Sequence, residues 1–270
     1  MQEILEMFSY PFVNKALICG IAVSISAALI GVILVLKKYS MIGHGLGEVG
    51  FAALSLALAL NLPPLSIAIP LVIVASFIIM IISQKKGESG DVTIALVSTS
   101  ALTFGVIITS ITKGFNIDVY GYMFGSILAM DIQDVVLSII LSVALITLFV
   151  VFYNRIFLIT FDEKFAKTRG INVTFYQFLI SFITALVVVI GMRIMGTLLI
   201  SSLIIFPAII ARKLTNSFKQ MMCLAAVISV ICFVCGLVIS FVLNLPTGAS
   251  IVAIYILLLA ITSFYGYVYK

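Results

Sequence analysis

Charged residues are scarce in this chain of 270 residues: only 9% are Asp, Glu, Lys or Arg, whereas 63% are hydrophobic. A typical soluble domain is about a quarter charged and about half apolar. So much apolar surface cannot be covered in one globular core of this length, so the composition excludes an ordinary soluble domain and indicates lipid as the solvent. The net charge of +5 is not gathered into a basic patch with interleaved aromatic residues, so nucleic acid is not an expected partner.

The motifs that would mark the chain as an enzyme are also missing. The sequence contains no G-x-x-x-x-G-K-[ST] phosphate loop, no H-E-x-x-H and no G-x-S-x-G. We therefore expect no enzymatic activity, no bound cofactor and no ATP hydrolysis by the chain itself. If it drives active transport, the energy has to come from another subunit or from an ion gradient.

Cysteine is limited to four residues, all of which lie within apolar runs: Cys19, Cys223, Cys232 and Cys235. The last two form a C-x-x-C, a spacing that also occurs in redox and metal sites. Nothing else near this pair indicates such a site, and cysteine otherwise packs as a small hydrophobic residue. We therefore expect a structural role for them.

Nine segments are long and apolar enough to cross a bilayer, which takes about 20 residues. The uncharged run 49–84 is broken at residues 61–64 (NLPP), and the run 220–269 is broken at residues 244–248 (NLPTG), so each predicts two helices. The other five predicted spans are 16–36, 92–112, 135–154, 170–192 and 194–211. The sequence thus predicts an all-α polytopic membrane bundle of about nine helices, with residues 1–270 forming a single transmembrane domain.

The distribution of lysine and arginine predicts the orientation, because cytoplasmic loops are enriched in both. With the N-terminus outside, twelve of the 15 basic residues fall in inward loops or at the C-terminus, and only Lys15, Lys113 and Arg193 face outward. We therefore expect the N-terminus outside and the C-terminus inside. Glu3 and Glu6 stand where a signal peptide has basic residues, and no small-residue cleavage site follows the first apolar run. We expect the first helix to be retained.

Residues 115–130 do not fit a spanning helix. The segment is apolar but too short to cross a bilayer, and it contains Gly121 and Gly125. Irregular backbone at membrane depth needs protein or water around it. The pattern therefore favours a broken or re-entrant helix that lines a cavity.

The longest inward loop, at about residues 155–172, contains the sequence FDEKFAKTRG (161–170). Acidic residues come first, basic residues follow and Gly170 ends the segment, which is the charge order that suits a short helix. Its apolar side is expected to consist of Phe161, Phe165 and Ala166. Such an amphipathic helix either lies on lipid headgroups or docks a cytoplasmic protein.

The sequence has one histidine, His44, which precedes Glu48 by four residues at the opening of the second helix. Side chains at i and i+4 share a helix face. An imidazole with a carboxylate suits a divalent cation such as zinc, manganese or ferrous iron. Glu48 is the one acidic residue within a predicted span, where an ionisable group costs about 2.5–3.5 kcal/mol and is therefore a functional-site hypothesis.

Glycines surround this pair at positions 43, 45, 47 and 50. In membranes glycine lets helix backbones approach closely. Close approach of two copies of this helix would join two His–Glu pairs into a four-ligand site in a homodimer. The alternative is that His44 and Glu48 only neutralise each other by a hydrogen bond near the inner interface.

Five ordered motifs resemble those of the permease subunits of bacterial zinc/manganese/iron ABC importers, and the resemblance covers nearly the whole chain. They are KKYSMIG (37–43), DVYGYMFGSILA (118–129), FDEKFAKTRG (161–170), GTLLISSLIIFPAIIAR (196–212) and PTGAS (246–250). The family usually has Asp at the position of His44 and His at the position of Glu48, so the acid and the imidazole are exchanged here. The exchange keeps one carboxylate and one imidazole a turn apart and leaves the identity of the metal open.

The resemblance implies a homodimer, or a pair of such permeases, in the bacterial plasma membrane. Two cytoplasmic ATP-binding subunits and an extracellular or periplasmic metal-binding protein would complete the importer. The transported zinc, manganese or iron ion would be contacted by His44 and Glu48. The residues implied in docking the ATPase are Phe161, Asp162, Glu163, Phe165, Ala166 and Gly170.

Two other classes of function are compatible with the composition. A secondary transporter would be driven by a proton or sodium gradient, but ion coupling generally needs more than one intramembrane acidic residue. A membrane scaffold or regulatory subunit would transport nothing and would tolerate loss of His44 and Glu48.

Overall fold

The computed structural model describes residues 10–86, 90–112 and 132–268, and these ranges are helical apart from short turns. The helices in chain order are α1 (Pro11–Leu36), α2 (Ile42–Ala59), α3 (Pro64–Lys86), α4 (Gly90–Ile111), α5 (Ile132–Phe161), α6 (Glu163–Thr168), α7 (Val173–Met195), α8 (Thr197–Leu214), α9 (Phe218–Leu243) and α10 (Thr247–Val268). Within the described ranges nine helices are long and apolar enough to cross a membrane. The predicted all-α bundle of nine spans is confirmed, while the orientation of its termini stays a prediction.

Two of the predicted breaks are left-handed turns at asparagine. Asn61 follows α2 with φ 53°, and Asn244 ends α9 with φ 52°. Asparagine tolerates this backbone conformation better than most residues, and a following proline prevents the helix from continuing. These local preferences explain why the NLPP and NLPTG sequences separate α2 from α3 and α9 from α10.

The break between α7 and α8 lies at Gly196 rather than at Arg193, where the predicted spans were divided. Gly196 has φ 84° and ψ 161°, a region that glycine enters without steric cost. Arg193 lies in the last turn of α7, where a positive charge is favourable against the helix dipole. A charge alone therefore does not end this helix.

The fifth span is also longer than predicted, because α5 continues past Arg155 to Phe161. The guanidinium of Arg155 donates to the hydroxyl of Tyr176 and lies 5.9 Å from the centre of that ring. The charge is thus accommodated beside α7 without ending α5. The backbone of α5 is kinked at Phe152, whose φ and ψ are −103° and 15°.

Helix α1 lies in the middle of the bundle and packs against α5, α7, α8 and α9. In its most apolar window 72% of the residues are buried, compared with 17% in α4. Gly31 lies against α8 so closely that a β-carbon there would be 1.9 Å from the carbonyl oxygen of Ile204. Ser229 of α9 donates to the carbonyl of Ser24 at 3.0 Å. Close backbone approach and interhelical hydrogen bonds therefore hold α1 in place, as is usual in membranes.

Helix α2, which carries His44 and Glu48, packs against α3, α4 and α8. The glycines around His44 make this packing possible: Gly43 and Gly47 face Ile204 and Thr197 of α8, and Gly45 faces α4. All three are buried. The expectation that glycines bring two copies of α2 together is therefore wrong for Gly43, Gly45 and Gly47, because α4 and α8 of the same chain already pack against them.

Candidate functional site

His44 and Glu48 lie on the same face of the first two turns of α2, as their spacing predicts. Nε2 of His44 is 3.2 Å from Oε1 of Glu48, and the two side chains are 53% and 21% exposed. Both side chains therefore remain accessible from outside the bundle of this single chain. The pair is positioned to offer an imidazole nitrogen and a carboxylate oxygen to one cation.

The turn before α2 is held by hydrogen bonds to α1 and α4. Lys38 has φ 62°, and the amide of Tyr39 donates to the carbonyl of Leu34 at 2.8 Å. This bond and the left-handed backbone at Lys38 end α1 and reverse the chain within a few residues. The amide of Met41 donates to Oδ1 of Asp91 at 3.4 Å, so the start of α2 is also attached to the start of α4.

A cavity of about 210 Å³ opens between α2 and α4 at this position. Its polar lining consists of His44, Glu48, Asp91, Ser98 and Thr99. Asp91 was not among the candidate residues of the sequence analysis, because it lies 43 residues after Glu48 and only the packing of α4 on α2 brings it to the cavity. The sequence signal that could have identified Asp91 is its position as an acidic residue in the first turn of a spanning helix.

The described residues offer no group of three or more His, Cys, Asp and Glu side chains that could hold a metal ion. His44 and Glu48 therefore contribute two donors from one chain. A cation bound there would need its remaining ligands from water, from hydroxyl or carbonyl oxygens, or from a second chain.

The predicted short helix in the inner loop is present as α6. Asp162 is its N-cap, and Oδ1 of Asp162 accepts a hydrogen bond from the amide of Phe165 at 2.9 Å. Lys167 lies in the last turn, and Gly170 follows with φ 74°. The acidic-to-basic order and the terminal glycine thus define this helix, in agreement with capping and dipole preferences.

The six residues implied in docking do not share one face. Ala166 is buried against Ile159 and Tyr176, and Glu163 points toward the bundle, whereas the others are exposed: Phe161, Asp162, Phe165 and Gly170. The expectation of one apolar side that includes Ala166 is wrong, because consecutive helical residues are rotated by about 100°. Ala166 anchors α6, whereas Phe161 at the end of α5 and Phe165 on α6 are exposed.

Glu163 connects α6 to two other parts of the chain. Its Oε1 accepts from Nζ of Lys37 at 2.7 Å and from Nε2 of Gln177 at 2.8 Å. Lys37 directly follows α1, and Gln177 belongs to α7. The turn formed by residues 37–41 therefore lies at the same end of the bundle as α6, which we call the α6 end.

Two other candidates remain outside the site. The predicted re-entrant segment 115–130 falls outside the described residues. Cys232 is buried in α9 and Cys235 is exposed, and neither belongs to a metal-binding group among the described residues. The structural role expected for this C-x-x-C stays a prediction.

The sequence profile of the ABC 3 transport family matches residues 9–266. The chain belongs to this family. Among the relatives of this ABC 3 family member is a manganese transport system membrane protein, MntC of Listeria innocua, which is 28% identical over 92% of this chain and 88% of its own length. The zinc uptake system membrane protein ZnuB of Haemophilus influenzae is 25% identical over 88% of this chain and 91% of its own length.

Solved structures agree with the family assignment. The ABC 3 family member superimposes on a chain of PsaBC from Streptococcus pneumoniae, solved in complex with Fab, with a TM-score of 0.84 and 30% identity over 97% of this chain and 94% of the other. An inward-facing ABC transporter assigned to the metal-chelate type matches with a TM-score of 0.79 but only 13% identity, which shows the fold alone. The predicted family and a multi-pass location in the bacterial plasma membrane are confirmed.

Proposed function

We propose that this chain is the membrane permease subunit of an ATP-driven importer for a divalent transition metal, with zinc, manganese or iron as its cargo. The observation that carries the proposal is the His44–Glu48 pair, which lines the cavity between α2 and α4 in a chain of the ABC 3 transport family. Relatives of the chain include proteins named for manganese and for zinc transport. Imidazole and carboxylate ligands serve zinc, manganese and ferrous iron, so uptake has to be compared among the three metals.

A second permease copy would complete the site. His44 is 53% exposed in the single chain although it belongs to a membrane-spanning helix. Ionisable groups inside a membrane face a protein interior or a water-filled path rather than lipid. We place the second copy, identical or closely related, across the face of α2 and α4 that carries the cavity. Two such copies would contribute two His44–Glu48 pairs, which together make four ligands around a path between the subunits.

The energy would come from two cytoplasmic ATP-binding subunits docked at the α6 end. Phe161 and Phe165 are exposed there beside the cationic side chains of Lys164, Lys167 and Arg169. We assign the surface of Phe161, Asp162, Phe165 and Gly170 to the contact with an ATPase. Glu163 and Ala166 have a different role, because they fix α6 to its own chain. A metal-binding protein would deliver the ion at the end of the bundle opposite α6. In this proposal residues 1–270 form one transmembrane domain.

The decisive experiment is metal uptake into proteoliposomes that contain this chain with its ATPase. Zinc, manganese and iron are compared with and without ATP, and Glu48→Gln is measured beside the wild type. ATP-dependent uptake of one metal that is lost in Glu48→Gln, with the complex intact, is the expected result. Thr147→Ala is the control, because Thr147 is exposed on α5 and its hydroxyl bonds only to the carbonyl of Val143 in its own helix. No uptake of any of the three metals by an intact complex would reject the proposal.

A further inference from the structure

One carboxylate oxygen joins three parts of the chain that are distant in sequence. Oε1 of Glu163 accepts hydrogen bonds from Lys37, 126 residues earlier, and from Gln177 on α7. The Lys37 side chain is only 10% exposed and the Glu163 side chain is 44% exposed. A charge-assisted bond of 2.7 Å with a largely buried partner is stronger and more directional than an ordinary surface ion pair.

The ion pair reaches the turn that opens the metal-bearing helix. Lys37 is separated from Ile42, the first residue of α2, by four residues, and His44 comes two residues later. Helix α6 itself packs against α5 and α7. The ion pair therefore adds a link from α6 to the turn that joins the end of α1 to the start of α2.

The turn packs closely against the start of α4. A β-carbon on Gly90 would lie 2.3 Å from the ring of Tyr39, so this ring packs directly against the start of α4. The pKa of the Tyr39 hydroxyl is raised above its usual value, mainly because the side chain is partly buried. Tyr39 packs against the start of α4, and a shift of Glu163 would be transmitted to the turn through Lys37.

We propose that the Lys37–Glu163 ion pair couples α6 to α2, so that movement of α6 repositions the helix carrying His44 and Glu48. Lys37 and Glu163 are positioning residues, since neither belongs to the metal pair. The inference rests on the proposed function, in which α6 meets the ATPase. Packed elements with discrete arrangements transmit such shifts. Coupling between metal import and ATP hydrolysis is therefore the quantity to measure.

The measurement is the ratio of metal imported to ATP hydrolysed by the complete complex in proteoliposomes. Glu163→Gln and Lys37→Met each remove one charge of the pair and should lower this ratio about fivefold or more, the lower range of typical coupling between sites. ATPase co-purification and hydrolysis should persist. The double variant Lys37→Glu/Glu163→Lys restores opposite charges and should recover a large part of the ratio. A purely structural pair would lower the amount of folded complex but leave the ratio unchanged.

Lys219→Met is the matched control, because it removes an exposed lysine at the α6 end, just inside α9. Its ratio should equal that of the wild type. If Glu163→Gln fails to assemble, Glu163→Asp keeps the charge but shortens its reach, and an unchanged ratio in that variant overturns the inference. Unchanged ratios in both single variants likewise overturn it while leaving the proposed function intact. A wild type without any ATP-dependent uptake would overturn both.

Discussion

Nε2 of His44 lies 3.2 Å from Oε1 of Glu48, with the imidazole nearer the start of α2 and the carboxylate one turn further on. The resembling family usually has the opposite order, with the carboxylate first. One helical turn advances by about 5.4 Å, so exchanging the two residues moves the carboxylate by about that distance along the helix. The two donors and their shared face remain the same.

The exchanged order can be tested by restoring the usual one. The double variant His44→Asp/Glu48→His keeps one carboxylate and one imidazole a turn apart. It should retain ATP-dependent uptake, with a changed preference among zinc, manganese and iron, because the positions of the hard oxygen and the borderline nitrogen are reversed. Competition uptake among the three metals measures this preference. Complete loss of uptake in an intact complex would mean that the order itself is required, and His44→Asp alone serves as the comparison.

Charge reversal on α6 should weaken attachment of the ATPase. Lys164→Glu/Lys167→Glu places two negative charges beside Phe165 on the exposed surface. We expect co-purification of the ATPase to fall, and to fall further at low salt, since surface charge effects are largest there. Lys219→Glu is the control, because this lysine is exposed at the same end but lies on α9. If the wild type, the Lys164→Glu/Lys167→Glu variant and the Lys219→Glu variant recovered equal amounts of ATPase, α6 would not be part of the docking surface.

The contact of Gly31 with Ile204 predicts a strong packing requirement between α1 and α8. In Gly31→Ala the new β-carbon would meet a backbone carbonyl at 1.9 Å, so the helices would have to separate. We expect the folded fraction in detergent to decrease, with a destabilisation of about 1–3 kcal/mol, as for other overpacked cores. Gly47→Ala is the milder counterpart, because its β-carbon would meet the side chain of Thr197 at 3.3 Å. Equal thermal unfolding midpoints for Gly31→Ala and Gly47→Ala would contradict the expected packing requirement at Gly31.

Asp91 should increase the attraction of the cavity for cations without being essential. It lines the same cavity as His44 and Glu48, and its Oδ1 accepts a bond from the amide of Met41. Asp91→Asn keeps an acceptor of the same shape and removes the charge. We expect the KM for metal uptake to rise by about 3- to 10-fold with little change in the maximal rate, on the order of 1 kcal/mol for one partly exposed charge. An Asp91→Asn variant with wild-type KM would leave Asp91 a purely structural cap of α2.

The parts that sequence reasoning predicted are those governed by neighbouring residues. The His44–Glu48 geometry follows from one turn of helix, and α6 follows from Asp162, its basic residues and Gly170. The two breaks at Asn61 and Asn244 follow from the conformational preference of asparagine before proline. In each case the interacting groups lie within a few residues, so their distance is fixed once the helix forms.

The parts that sequence reasoning missed depend on partners far along the chain. The end of α5 was placed too early because Arg155 finds Tyr176 on α7. Ala166 was predicted to share one apolar side with Phe161 and Phe165, but it packs against Tyr176 and Ile159. The amphipathic pattern of a helix with six residues does not show which of its sides the rest of the protein covers.

The sequence by itself determined the class of solvent, the number of spanning helices and the candidate ligand pair. Lipid offers no hydrogen bonds to the backbone, so long uncharged runs have to become helices, and the i, i+4 spacing places His44 beside Glu48. Only the tertiary structure decided that Asp91 reaches their cavity and that Glu163 bonds to Lys37. These contacts depend on how helices pack side by side, and in a membrane that packing is set by close fit and interhelical hydrogen bonds rather than by hydrophobicity. A nearly uniform apolar sequence therefore specifies its spans far better than it specifies their neighbours.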